Sequence, residues 1–156
     1  MIKTILLFIV SLFLICGCNS YSDNLPFTYK YSIESMGNFK VNFELNSDST
    51  YKISQFNYFF DRLEGRKRAF LKDGKLTKQE FITFQTLISA SKIERLKDTY
   101  GFEDAASERE IIFMIELIRN GKSKYVSINS HTSNKFPKHF PDLIKHTNEF
   151  ISEKIN

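Results

Sequence analysis

The chain has 156 residues, of which 42% are hydrophobic and 26% charged, and a formal net charge of +4. That length suits one domain with a sizeable core, and so small a charge excess does not call for a nucleic-acid partner. The two cysteines are Cys16 and Cys18; everything beyond them lacks a thiol, which excludes a disulfide framework, redox cysteines and thiolate metal sites there.

In chain order, Lys3 gives a short positive start and residues 5–15 an apolar run of about 11, within the span of a cleaved secretory signal. Extended to Cys18, the run is about 14 residues, short of the ~20 a spanning helix needs. Ile15-Cys16-Gly17-Cys18 resembles the bacterial lipobox: an aliphatic residue, a small or apolar one, Gly or Ala, then Cys. The resemblance implies a lipoprotein with signal peptide 1–17, cut before Cys18, whose thiol takes diacylglycerol and whose new amino terminus is acylated, for example with palmitate. One acyl chain holds only marginally at about 0.8 kcal/mol per CH₂, so two or three make a lasting membrane anchor. Residues 18–26 then form a lipidated tether, polar up to Leu25-Pro26. Asn19 stands where enteric inner-membrane lipoproteins carry Asp, which by resemblance points to the outer membrane, facing the periplasm or the cell surface.

Residues 27–156 read as a single α+β domain. Phe27, Tyr29, Tyr31 and Ile33 alternate with polar residues, as do Phe39, Val41, Phe43 and Leu45; this period of two predicts two strands joined by a turn at Met36-Gly37-Asn38. Tyr51 and Ile53 start a third strand that frays into residues 56–60. A fourth lies near residues 66–71 and ends at the turn dipeptide Asp73-Gly74. Thr77 and Glu80 form a capping box, with Leu76 and Phe81 placed as its staple, and Phe81, Phe84, Leu87 and Ile88 share one helix face. A second box, Ser91 to Glu94, starts a short turn of helix ending near Tyr100-Gly101. Residues 103–110 form an acidic loop. The apolar run 111–118 predicts a central strand covered on both faces, and Asn120-Gly121 a hairpin returning through residues 124–129. Pro137 and Pro141 introduce a final helix with Leu143, Thr147 and Phe150 inward. The predicted architecture is an antiparallel sheet of about six strands, in the order β-β-β-β-α-α-β-β-α, with helices on one face.

The candidate chemistry is sparse. His131, His139 and His146 with Asp142 would be a metal set, but the residue before Pro141 is biased away from helix. That leaves His139 outside the helix and Asp142 and His146 as a surface ion pair. No metal or cofactor is expected, since zinc needs three or four convergent ligands. Arg62, Arg66, Lys67, Arg68 and Lys72 follow three consecutive aromatics, Tyr58, Phe59 and Phe60, which cannot all face one core. Tyr58, Phe59, Phe60, Arg66 and Arg68 are the candidate contact surface. Glu103, Asp104, Glu108 and Glu110 are the candidates for acid–base work, but nothing suggests a pocket and a solvated loop is the better account of them. Nucleophile-elbow, zinc-helix and phosphate-loop motifs are absent.

Beyond the lipobox, Gly74-Lys75-Leu76-Thr77-x-x-Glu80-Phe81 and Leu96-Lys97-Asp98-x-Tyr100 resemble the layout of small envelope lipoproteins of unknown function. The resemblance carries over no functional residue. Together these features predict a lipid-anchored, non-enzymatic protein-binding, inhibitor or immunity-type module. The competing classes are an envelope-polymer hydrolase using residues 103–110 and a structural spacer. The expected partners are the membrane, through lipid, and an envelope protein; nothing in the sequence sets the oligomeric state.

Overall fold

A computed structural model describes residues 26–58, 70–102, 111–130 and 135–155. Seven strands form one mixed sheet: β1 (Phe27–Ser35), β2 (Phe39–Asn46), β3 (Thr50–Asn57), β4 (Phe70–Lys75), β5 (Thr99–Tyr100), β6 (Ile111–Arg119) and β7 (Lys122–Asn129). Two helices are described, α1 (Lys78–Ser91) and α2 (His139–Ile155), with a single 3-10 turn at Ile93–Arg95. The sheet order is β4-β3-β2-β1-β6-β7-β5. All neighbours are antiparallel except β5, which runs parallel to β7. The α+β class stands, and the sheet has seven strands rather than about six.

Strand alternation decides which face is buried. Tyr29, Tyr31, Phe43, Leu45, Ile53, Ile115, Leu117 and Val126 are essentially sealed, and both helices lie over this face. Phe43 stands where sheet and helices meet, with its ring 5.5 Å from Phe84 of α1 and 5.6 Å from Phe150 of α2. Phe84 and Phe150 meet edge to face at 5.5 Å, an arrangement the ring quadrupole favours. Two tyrosines reach through the core to α2. The Tyr31 hydroxyl donates to Asn148 Oδ1 at 2.7 Å, and that of Tyr29 lies 3.2 Å from Thr147 Oγ1. Burial pushes both hydroxyls above the usual tyrosine range, because a phenolate there would lose its hydration.

Local signals place the helix start and one hairpin as expected. Thr77 Oγ1 accepts from the Glu80 amide at 3.3 Å and Glu80 Oε2 accepts from the Thr77 amide at 2.7 Å, the reciprocal capping box. Asn120 and Gly121 both have positive φ, 53° and 70°, the type I′ geometry that matches strand twist.

Five expectations need correction. Asp73-Gly74 is not a turn but the interior of β4, which begins at Phe70; residues 66–69 lie outside the described residues. Gly74 is required there because it pairs with Tyr51, and a Cβ would sit 2.9 Å from the Tyr51 hydroxyl. The Ser91–Glu94 capping box does not form, since the Ser91 hydroxyl donates back to the Ile88 carbonyl at 2.8 Å. Lys92 is left-handed, Glu94 pairs with Arg119 at 3.1 Å, and the helical turn is only the 3-10 turn Ile93–Arg95, after which the chain continues into β5 rather than staying helical to Tyr100. β6 has helices over one face only among the described residues: Ile115 and Leu117 are buried, while Ile112, Met114 and Ile118 are half-buried on the other. His139 is the first residue of α2; Pro141 sits in the opening turn, where its missing N–H costs nothing. Asp142 pairs with His139 at 3.4 Å, not with His146, whose ring packs 4.7 Å from Phe84.

Candidate functional site

The face of the sheet away from the helices carries the polar half of every alternation. Cross-strand register aligns these residues into rows. One row reads Asp73, Lys52, Glu44, Lys30, Glu116 and Tyr125 across β4, β3, β2, β1, β6 and β7. Its charges alternate in sign from strand to strand, spaced by about 4.8 Å. The adjacent row reads Leu71, Ser54, Asn42, Ser32, Met114 and Ser127, with short side chains in the middle. Tall charged side chains beside short hydroxyls and an amide leave a groove of about 640 Å³, within the roughly 300–1,000 Å³ of ligand sites.

The groove is partly organised in advance. Glu116 is its electrostatic anchor. Burial opposes its ionisation, but hydrogen bonds from Ser123, Tyr125 and Lys30 prevail and hold the carboxyl below the usual glutamate range. Lys30 Nζ is 3.1 Å from Glu116 Oε2, and that bond raises the lysine above its ordinary value. Tyr125 stands opposite Glu116 in the register, and 60% of the residue is exposed. Asn42 donates to the Ser54 hydroxyl at 3.0 Å, and both side chains line the groove. Lys52 makes no ion pair among the described residues, although Asp73 stands directly opposite. Leu71, 73% exposed, marks the β4 end and Tyr125 the β7 end.

A second cavity, of about 470 Å³, lies between the flank of α2 and the end of the sheet. Phe113, Phe136, Phe140 and Ile144 make it apolar, with Asn148 and Lys145 at its margin. Asn129, Ser130 and Glu149 complete its polar lining among the described residues.

The sequence-derived candidates fall largely elsewhere. Of Tyr58, Phe59, Phe60, Arg66 and Arg68, only Tyr58 is among the described residues. It is half-buried, with its amide donating to the Asn38 carbonyl at 2.8 Å. Cys18 with the whole of residues 1–25, the acidic stretch 103–110 and His131 also lie outside the described residues. His139, Asp142 and His146 do not converge, and no group of three metal-ligating side chains occurs among the described residues. The displaced carboxylates among the described residues, Asp48, Glu80 and Glu116, all move downward; a general acid needs the opposite shift.

The groove residues were visible in sequence as the polar half of the strand pattern. What was missing was register, which sets which polar residues become neighbours. No helix among the described residues is long and apolar enough to cross a membrane. No protein-family profile matches the chain, and no curated protein matches it either.

Proposed function

We propose that the chain is a lipid-anchored protein of the bacterial cell envelope, held by acyl chains on Cys18, and that its domain is a non-enzymatic binding module. The anchor rests on Ile15-Cys16-Gly17-Cys18 at the end of a short apolar run. The binding role rests on one observation: a groove about 640 Å³ in volume crosses a sheet face that no described element covers. The groove holds converging polar groups, yet its best-defined carboxylate, Glu116, is kept ionised rather than poised for proton transfer. That favours holding a ligand over hydrolysing one. An inhibitor or immunity-type role toward an envelope protein is the form the sequence suggests. The outer membrane is the proposed destination, with residues 18–26 as the tether.

Two measurements test this reading. Labelled palmitate should be incorporated by the host-expressed protein and lost in Cys18→Ser, which should then accumulate unprocessed. Crosslinking in the native envelope, from a photoreactive residue at position 52, should capture a defined partner. A Cys18→Ser form that matures and stays membrane-bound would remove the anchor. No crosslink at position 52 would remove the groove as a protein-binding site.

A further inference from the structure

The groove on the open sheet face belongs to the binding-module reading, and its chemistry narrows the ligand. The geometry points to a neutral, polyhydroxylated chain, a short oligosaccharide, lying across the strands from Leu71 toward Tyr125.

Three observations carry this. The first is charge. The row Asp73, Lys52, Glu44, Lys30 and Glu116 alternates in sign along its length, so it attracts neither an extended anion nor an extended cation. It offers carboxylate acceptors and ammonium donors in turn. A sugar hydroxyl both donates and accepts, and neighbouring hydroxyls on a ring can bridge such a pair.

The second is the backbone. The strands under the groove, β3, β2, β1 and β6, are each paired on both sides, so their amides and carbonyls are committed to the sheet ladder. A peptide carries an amide and a carbonyl at every residue and joins a sheet at its edge, where free backbone groups can pair with it. Across this face it would find side chains only. A saccharide has no repeating backbone donor and acceptor to satisfy, and side-chain recognition suffices.

The third is the ring of Tyr125. Tyr125 stands opposite Glu116 in the strand register and is 60% exposed, so an accessible aromatic surface stands at one end of the groove. The C–H face of a pyranose is apolar and flat enough to lie on such a ring.

The test uses the full chain in lipid nanodiscs, so that no glycosidic detergent competes. The probes are maltohexaose, cellohexaose, xylohexaose and chitohexaose, read by saturation-transfer NMR, with an anionic hyaluronan hexasaccharide for comparison. At least one neutral hexasaccharide should bind more tightly than the anionic one. Tyr125→Ala and Lys52→Ala should each weaken that binding, the first by about tenfold for loss of the aromatic contact. Ile82→Ser, at an exposed position on α1, should leave it unchanged. Absence of binding by all four neutral probes, or binding indifferent to both groove variants, overturns the ligand class. If a protein crosslinks at position 52 while every saccharide fails, the ligand class falls and the binding module survives. If position 52 captures nothing and no saccharide binds, both fall.

Discussion

The hydroxyl of Tyr29, on the central strand, lies 3.2 Å from that of Thr147 on α2, and the direction of their bond is fixed. Thr147 gives its proton to the Leu143 carbonyl at 2.8 Å, so Tyr29 must be the donor. Both residues are fully buried. Thr147→Val keeps the shape and leaves the Tyr29 hydroxyl without an acceptor, at a cost of about 1–3 kcal/mol. Adding Tyr29→Phe should recover much of that loss. Urea unfolding of the four proteins in a double-mutant cycle checks it, and additive losses would mean the pair is not coupled.

Glu80 links the start of α1 to the end of α2. Its carboxyl is held below the usual glutamate range by the Thr77 hydroxyl and then the Thr77 amide, against a smaller opposing effect of burial. A bond from Lys154 at 3.3 Å assists. The unfolded chain takes up this proton at a higher pH than the folded one. The Glu80 contribution is therefore present above its ordinary value of 4.5 and lost as pH falls through the lowered folded value. Glu80→Gln should flatten that part of the stability profile between neutral pH and pH 3, and Thr77→Ala should cost about 1 kcal/mol. Thermal unfolding across that range is the measurement; parallel profiles for wild type and Glu80→Gln would contradict it.

Gly74→Ala should destabilise by about 1–3 kcal/mol, as overpacking does. The new Cβ would lie 2.9 Å from the Tyr51 hydroxyl and 3.0 Å from two ring carbons. That ring has little room to yield, being buried and edge-on to Phe150 at 5.2 Å. Tyr51→Leu in the same chain should make the alanine better tolerated. Equal penalties in both backgrounds would show that the contact does not set the requirement for glycine.

Among the described residues the buried Nε2 of His146 has no hydrogen-bond partner, and its ring packs against Phe84. Leucine at this position removes the unsatisfied atom and keeps an apolar contact. His146→Leu should match or exceed the wild type in stability, by up to about 1 kcal/mol. A clear loss in denaturant unfolding would mean that the imidazole contributes something its neighbours do not reveal.

Much of the fold was legible because its signals are local. The run Phe27, Tyr29, Tyr31 put its aromatics on one face, and all three are buried. Thr77 and Glu80 marked a helix start by side-chain chemistry alone, and Asn120-Gly121 marked a hairpin by backbone preference. Features set by distant partners stayed hidden. β5 is two residues long and exists because Thr99 and Tyr100 meet Ser127 and Ile128. Gly74 looked like a turn residue because glycine's need for space beside Tyr51 has no local signature. Polar residues were correctly assigned to the open face, but a groove between Lys52, Asn42 and Tyr125 arises only once four separate strand pairings fix the register.

The first strand occupies the middle of the sheet. Ile33 pairs with Val41 on one side and with Phe113 on the other, and the second pairing spans most of the domain. During synthesis, the meander from β1 to β4 has an unpaired inner edge until β6 has emerged, so the sheet cannot close before nearly the whole polypeptide is made. Such distant pairings make for slow folding. If the chain is exported to the envelope as proposed, that delay gives translocation of the still-extended chain time to finish before the sheet locks.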